Sequence, residues 1–389
     1  MNRKSVILVL FVLSVVSTKA QWDFPDPSFH RIETMSNRLS LDIDATTFFR
    51  NAEFYLRSTK GYTASGFRLT PIIRYKINEK AQIRGGVVLT GIAGTEGFWK
   101  VQPALTIDYK PAHWMMLTMG TLDGCLHHDL GEPLYDVERW VFDNKEDGLQ
   151  IQTETRHWVS DNWINWEHFL EPWTPDQERF TMGFRHMPRV RFGRDDLFEI
   201  ALPAMFFESH RGGQLSTLDT CIETLFHERV GLDFEFPVCG LREPEKRGAT
   251  LPADHIRIET PFYFFQNVSP SPHTEFLDGW GFYPQLTYAF RMKSHEVRAT
   301  AGYWYGHQFL SARGSFLFQS VSCFDIWWIH PERRMVTFKF NYLHLLEGNG
   351  RDNGFALDID IGAYHDIESH RTDLVFGLYL RLKKEVRLL

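Results

Sequence analysis

Phe67-Arg68-Leu69-Thr70-Pro71-Ile72-Ile73-Arg74-Tyr75-Lys76-Ile77 has a period of two. One face carries Phe67, Leu69, Pro71, Ile73, Tyr75 and Ile77, and the other carries Arg68, Thr70, Ile72, Arg74 and Lys76. Side chains of a strand point alternately to its two faces, so this is a strand with one oily and one wet side. Asn78-Glu79-Lys80 makes a tight turn. The next segment keeps the pattern, with Ile83, Val87 and Leu89 against Gln82, Arg84 and Thr90. After Gly91–Gly97 it returns, with Trp99, Val101, Leu105, Ile107 and Tyr109 against Lys100, Gln102, Thr106 and Asp108.

The last third of the chain repeats the theme. Val336, Phe338, Phe340 and Tyr342 alternate with Thr337, Lys339 and Asn341, and Leu357, Ile359 and Ile361 with Asp358 and Asp360. Leu374, Phe376, Leu378, Leu380 and Leu382 alternate with Gly377, Tyr379, Arg381 and Lys383. Segments of about ten residues have the length that crosses a bilayer at a tilt, whereas globular strands average about five or six. The connections come in two kinds. Short turns are expected at 78–80, 110–113, 157–161, 293–295 and 330–334, and longer links at 120–146, 170–177, 210–220, 266–279 and 307–322. That asymmetry describes an all-β transmembrane antiparallel barrel with short periplasmic turns and long extracellular loops. A raw count gives an odd number of strands, with Leu39–Leu56 and Pro237–Asp254 the ambiguous stretches. Closure of a bacterial barrel then sets the expectation at 16 to 18.

The amino terminus fits export. Arg3 and Lys4 precede the apolar run Val6–Val16, and Thr18 and Ala20 occupy small-residue cleavage positions, so residues 1–20 read as a signal peptide and 21–389 as a single barrel domain. The chain holds 42 Lys+Arg against 49 Asp+Glu; without Arg3, Lys4 and Lys19 the balance is 39 against 49. Such an acidic chain is a poor partner for nucleic acid. Aromatics make up 15% of the residues, which suits interfacial girdles. Trp140, Trp158, Trp163, Trp166 and Trp173 cluster around two links; the girdle accounts for them better than sugar stacking does. Cys125, Cys221, Cys239 and Cys323 form no CxxC pair; a Cys221–Cys239 disulfide is compatible with export, but spacing does not fix the pairing.

Gly131-Glu132-Pro133-Leu134-Tyr135-Asp136 and His210-Arg211-Gly212-Gly213-Gln214 look like loop motifs of porin-like outer-membrane barrels of the Bacteroidota. The chain resembles that group over most of its length. The resemblance implies an outer-membrane location and names no solute.

With the apolar faces on lipid, the opposite faces line the lumen. They bring Arg68, Arg74, Lys76, Arg84, Arg257, Arg291 and Arg298 together with Asp358 and Asp360. Charged walls imply water, so the expected function is a channel for passive diffusion of small hydrophilic solutes, anionic or sugar-like, with Arg68, Arg74 and Arg84 as a basic ladder. The link 120–146 holds Asp123, His127, His128, Asp129, Glu132 and Asp136 and is the candidate constriction loop. No metal, cofactor or catalytic residue is expected. No GxSxG or HExxH motif appears, so an enzyme is not the first expectation, although Ser209-His210 and 17 histidines are present. The alternatives are a barrel hydrolase acting on lipid or peptide, and a scaffold or polymer-export barrel. Expected partners are outer-membrane lipid and the solutes themselves, with a homotrimer or a lipoprotein partner open.

Overall fold

The computed structural model describes residues 39–388 apart from 123–127, 144, 194–197, 214–216, 218–221, 239–253, 271–273, 293 and 349–353. The expected signal peptide, Asp123, His127, and the Cys221 and Cys239 pair fall outside the described residues. Eight strands come first: β1 (Leu39–Glu53), β2 (Tyr62–Lys76), β3 (Ala81–Ile92), β4 (Lys100–Ala112), β5 (Met115–Thr121), β6 (Asp147–Glu154), β7 (Trp158–His168) and β8 (Glu178–Phe192). Next come β9 (Phe198–Ala201), β10 (Ala204–Gly212), β11 (Glu223–Val230), β12 (Asp233–Pro237), β13 (His255–Glu259), β14 (Phe262–Asn267), β15 (Asp278–Phe282) and β16 (Gln285–Met292). The last are β17 (His295–His307), β18 (Glu332–Gly348), β19 (Gly354–Asp366) and β20 (Arg371–Arg387). A single helical turn, α1 (Arg139–Phe142), lies between β5 and β6.

Every pairing is antiparallel, and β1 pairs with β20, so the sheet closes on itself. Four spanning strands are broken in two: β9 and β10 both pair with β8, and the breaks continue at 231–232, 260–261 and 283–284 on the neighbouring strands. Pro203, Pro261 and Pro284 sit in these breaks, where a missing N–H interrupts the ladder. Their carbonyls still accept from the next strand, from Gly231, Tyr283 and Tyr303. Counting each broken pair once, the barrel has 16 strands. Leu39–Glu53 is one strand, and most of the other ambiguous stretch, 239–253, lies outside the described residues.

One end of the barrel carries brief turns such as 77–80, 113–114 and 155–157. The other end carries 93–99, 122–146, 169–177, 213–222, 268–277 and 308–331. Residues 330–334 were expected to form a short turn; they instead close the long 308–331 loop and enter β18. The strand faces agree with the alternation. Phe67, Ile73, Tyr75, Val101, Leu105 and Ile107 are exposed toward lipid, while Arg74, Arg84, Thr106 and Asp108 are buried inside.

The long-loop half of the lumen is filled. Leu130, Leu134 and Tyr135 of the 122–146 loop and Phe309, Leu310 and Phe318 of the 308–331 loop form one buried cluster with inward wall residues including Trp163, Phe207, Tyr263 and Trp304. These segments are apolar enough to sink into a barrel because they meet an apolar inner wall there. Trp304 is accommodated by missing side chains: Gly281 and Gly306 are opposed across β15 and β17, and a Cβ on Gly281 would collide with the indole. Gly281→Ala is therefore expected to cost about 1–3 kcal/mol through overpacking, read as a lower temperature of thermal unfolding in detergent.

Candidate functional site

The inward charges pair locally. Arg74 bonds Asp42; Arg84 Nε lies 2.7 Å from Asp108; Arg257 lies 2.8 Å from Asp233 and 3.0 Å from Glu259. Arg298 pairs with Glu296, and Arg381 lies 2.6 Å from Asp358. Asp360 accepts from Asn341 and Lys76 faces inward at the end of β2. Arg291 lies in β16, with its side chain outside the described residues. The expected arginine ladder is not a row of free cations: Arg74 and Arg84 each hold a carboxylate, and Arg68 lies over Trp140 at 4.2 Å and donates to its carbonyl.

The loop expected to constrict a pore is instead anchored as a plug. His128 Nδ1 lies 2.8 Å from Asp161 and Nε2 2.9 Å from Glu146, with its ring stacked on Trp163 at 3.7 Å. Asp129 pairs with Arg185, Glu132 with Lys339, and Glu132 also accepts from Tyr364 at 2.9 Å. Glu138 holds Arg50 and Tyr62. Asp136 anchors the turn before α1, accepting from the Glu138 amide at 3.0 Å. Burial opposes charging His128, but Asp161 and Glu146 outweigh it and raise the ring to about 9. A ring that keeps its proton at neutral pH is a clamp, not a general base. Burial and then the neighbouring Glu138 push Asp136 up to about 7.

A different set of polar residues faces lipid. On β10 the outward positions are Ala204, Phe206, Glu208 and His210, since Met205 and Phe207 are buried inside. His210 Nδ1 lies 3.0 Å from Thr224 Oγ1 on β11, directly opposite in register, and its ring stacks on Phe180 at 4.9 Å, which in turn stacks on Trp166. Glu208 is two residues along on the same outward face. Below them lies a lipid-facing aromatic band: Phe184, Phe206 and Phe226 have successive ring centroids 5.5 and 5.2 Å apart. The group sits next to Gly212, where β10 ends at the long loops.

This arrangement differs from an ordinary interfacial histidine. His365 and Thr372 make the same kind of contact, at 2.9 Å, at the same end of β19 and β20. The next outward residues there are Ala363 and Leu374, so no carboxylate accompanies that ring. A charge near the interface costs little, about 0–1 kcal/mol, so cost alone does not mark Glu208. The combination of acid, imidazole and hydroxyl above an apolar track does.

Residues 30–389 match the model of the lipid A 3′-O-deacylase-type family. The chain belongs to that family. No curated protein matches the sequence. Among solved structures, the loop L8 deletion mutant of OmpT, an outer membrane protein of Vibrio cholerae, aligns with a TM-score of 0.50 at 10% identity, over 90% of this chain and 100% of that one. OprD from Pseudomonas aeruginosa aligns at 0.43 and 7% identity, over 91% and 96%. The first of these supports the barrel fold and nothing finer.

Membership of a deacylase-type family overturns two expectations, the passive channel and the absence of an enzyme. The barrel itself is of the outer-membrane kind, as expected. The resemblance to porin-like barrels came from architecture, and architecture hosts many functions. Of the tryptophans expected in a girdle, Trp158, Trp166 and Trp173 are exposed, while Trp140 and Trp163 are buried in the interior. Ser209-His210 does not act as a pair: adjacent strand residues face opposite ways, and only His210 reaches lipid. Glu208 and Thr224 went unnoticed in the sequence. Their signal is polar residues at positions whose parity calls for apolar ones, in Phe206-Phe207-Glu208-Ser209-His210.

Proposed function

We propose that this protein is an outer-membrane hydrolase that removes an ester-linked acyl chain from a lipid of the outer leaflet, with lipid A the substrate class its family points to. The observation that carries the reading is the His210–Thr224 contact with Glu208 on the same strand face, facing lipid at the head of the Phe band. With short turns in the periplasm, the long-loop end lies outside, so these groups meet the boundary between headgroup and acyl chains of the outer leaflet. Acyl esters of a glycolipid lie at that depth.

The chemistry follows from the three side chains. The Thr224 hydroxyl attacks the ester carbonyl as His210 takes its proton; the protonated ring then donates to the departing sugar alcohol. Water, activated by the same ring, releases the fatty acid. Glu208 stabilises the imidazolium formed in both steps. Phe184, Phe206 and Phe226 hold the acyl chain against the barrel and free the site from lifting the lipid out of the membrane.

The test is direct. Purified full-length barrel mixed with lipid A in detergent is expected to release free fatty acid, leaving lipid A lighter by one acyl chain in mass spectra. Unaltered lipid A after incubation with correctly folded barrel would refute the assignment.

A further inference from the structure

A second polar group faces lipid at the opposite end of the barrel, and the outer-rim chemistry does not use it. On β7 the inward residues are Asp161, Trp163 and Asn165, so Ser160 and Asn162 are on the outward face, where neighbouring side chains cover Ser160 to 4% exposure and leave Asn162 half-buried. Ser160 is directly opposite His186 of β8 in the antiparallel register and opposite Thr153 of β6 on its other side. Opposed residues hold their Cβ atoms about 4.5–5.5 Å apart, near enough for a rotation of the imidazole to bring a ring nitrogen to the Ser160 hydroxyl. Ser160 Oγ lies 2.7 Å from Thr153 Oγ1, and the Asn162 side-chain amide lies 3.5 Å from it. The His186 ring is flanked by Trp158 at 5.2 Å and Phe184 at 5.0 Å. Its Nδ1 is closed to solvent and has no hydrogen-bond partner. An unpartnered buried ring nitrogen is costly unless something uses it.

We infer that Ser160, His186 and Asn162 form a second acyl-ester site, serving glycerophospholipids of the periplasmic leaflet. Ser160 lies three residues from the 155–157 turn, so it meets the leaflet on the short-turn side. There Ser160 Oγ attacks the acyl carbonyl and its proton passes to His186. The Asn162 amide donates to the oxyanion that develops beside Oγ. The lysophospholipid alcohol leaves with the proton from His186, and water then hydrolyses the serine ester to regenerate the hydroxyl. Thr153 holds the resting hydroxyl and gives it up when an ester enters.

The experiment uses the full-length barrel, a long-chain alkyl fluorophosphonate and phosphatidylethanolamine in mixed micelles. Peptide mass spectrometry is expected to place an adduct on Ser160, formed at least about 10²-fold more slowly in His186→Gln, with heat-modifiable migration showing that the variant remains folded. The same micelles are expected to yield lysophospholipid and free fatty acid, lost in Ser160→Ala. No adduct on Ser160, an adduct indifferent to His186, or labelling with no fatty acid released would each overturn the inference. Any adduct on Thr224 falls on a different peptide, so the outer-rim reading stands or falls separately.

Discussion

Replacing His210 by alanine is expected to lower acyl-ester hydrolysis by about 10²–10⁴-fold, the contribution of a positioned general base. The barrel should be unaffected, because His210 makes one side-chain hydrogen bond and a stacking contact on the outer surface and takes no part in the buried core. Three companions separate catalysis from interfacial packing. Thr224→Val removes the hydroxyl and keeps the shape, so it should match His210→Ala; Thr224→Ser restores a hydroxyl and should recover activity. Glu208→Gln keeps size and removes the charge that stabilises the imidazolium, so its loss should appear in kcat more than in KM. His365→Ala removes the equivalent ring above Ala363 and Leu374 and should leave turnover unchanged. Equal loss from His365→Ala and His210→Ala would mean that both rings serve the membrane interface, and the assignment would be wrong.

The fold was legible because a barrel is specified by parity. In 67–77, 82–90 and 374–382 a one-residue slip would turn Arg74, Arg84 or Arg381 into lipid, so the sequence tolerates one register only. The strand number was legible only as a range. Pro203, Pro261 and Pro284 break spanning strands into short pieces whose turn signals imitate loops, although β8 and β17, on the two sides of the broken group, run past it unbroken.

The site was less legible, for two physical reasons. First, polar inward faces look alike in sequence whether they meet water or one another. Arg84 beside Asp108 and Arg257 beside Asp233 are joined across strands, and no local pattern reveals the partner. Second, the loop 122–146 carries enough charge to read as solvated, yet Glu132, Glu138 and His128 each find their partner on a distant strand: Lys339, Arg50 and Asp161. The same parity that gave the fold also pointed to the chemistry, through its exceptions. Glu208 and His210, and Ser160 and Asn162, are polar where the lipid face requires apolar side chains.

The plug should depend on His128 more than on any other residue of its loop. Both ring nitrogens face carboxylates, so both must donate, and the folded state holds an imidazolium between Asp161 and Glu146. Gln150 donates to Asp161, Tyr135 donates to Glu146, and Arg313 lies 3.7 Å from Glu146 and pairs with Glu167. His128→Ala leaves the two acids with one cation too few in a buried site. Breaking such a pair costs about 3–5 kcal/mol, and the loss falls on the contact between loop and wall. The barrel ladder is independent of it, so the strands should keep their hydrogen-exchange protection while residues 128–146 lose theirs. Raising pH should imitate the substitution. The folded ring titrates at about 9 against an ordinary 6.5, so its contribution is complete below 6.5 and disappears as pH climbs through 9. At 1.36 kcal/mol per pH unit that is worth about 3 kcal/mol. Asp136 acts over a lower range: burial raises it to about 7 against an ordinary 3.8, so its cost to the packed loop develops as pH rises from about 4 and is complete by about 7, leaving His128 to set the trend above that. Hydrogen exchange or limited proteolysis of 128–146 should therefore accelerate between pH 7 and pH 10 in the wild type and be fast at both in His128→Ala. A loop equally protected in the two proteins at pH 7 would show that the apolar contacts of Leu130, Leu134 and Tyr135 hold the plug without the clamp.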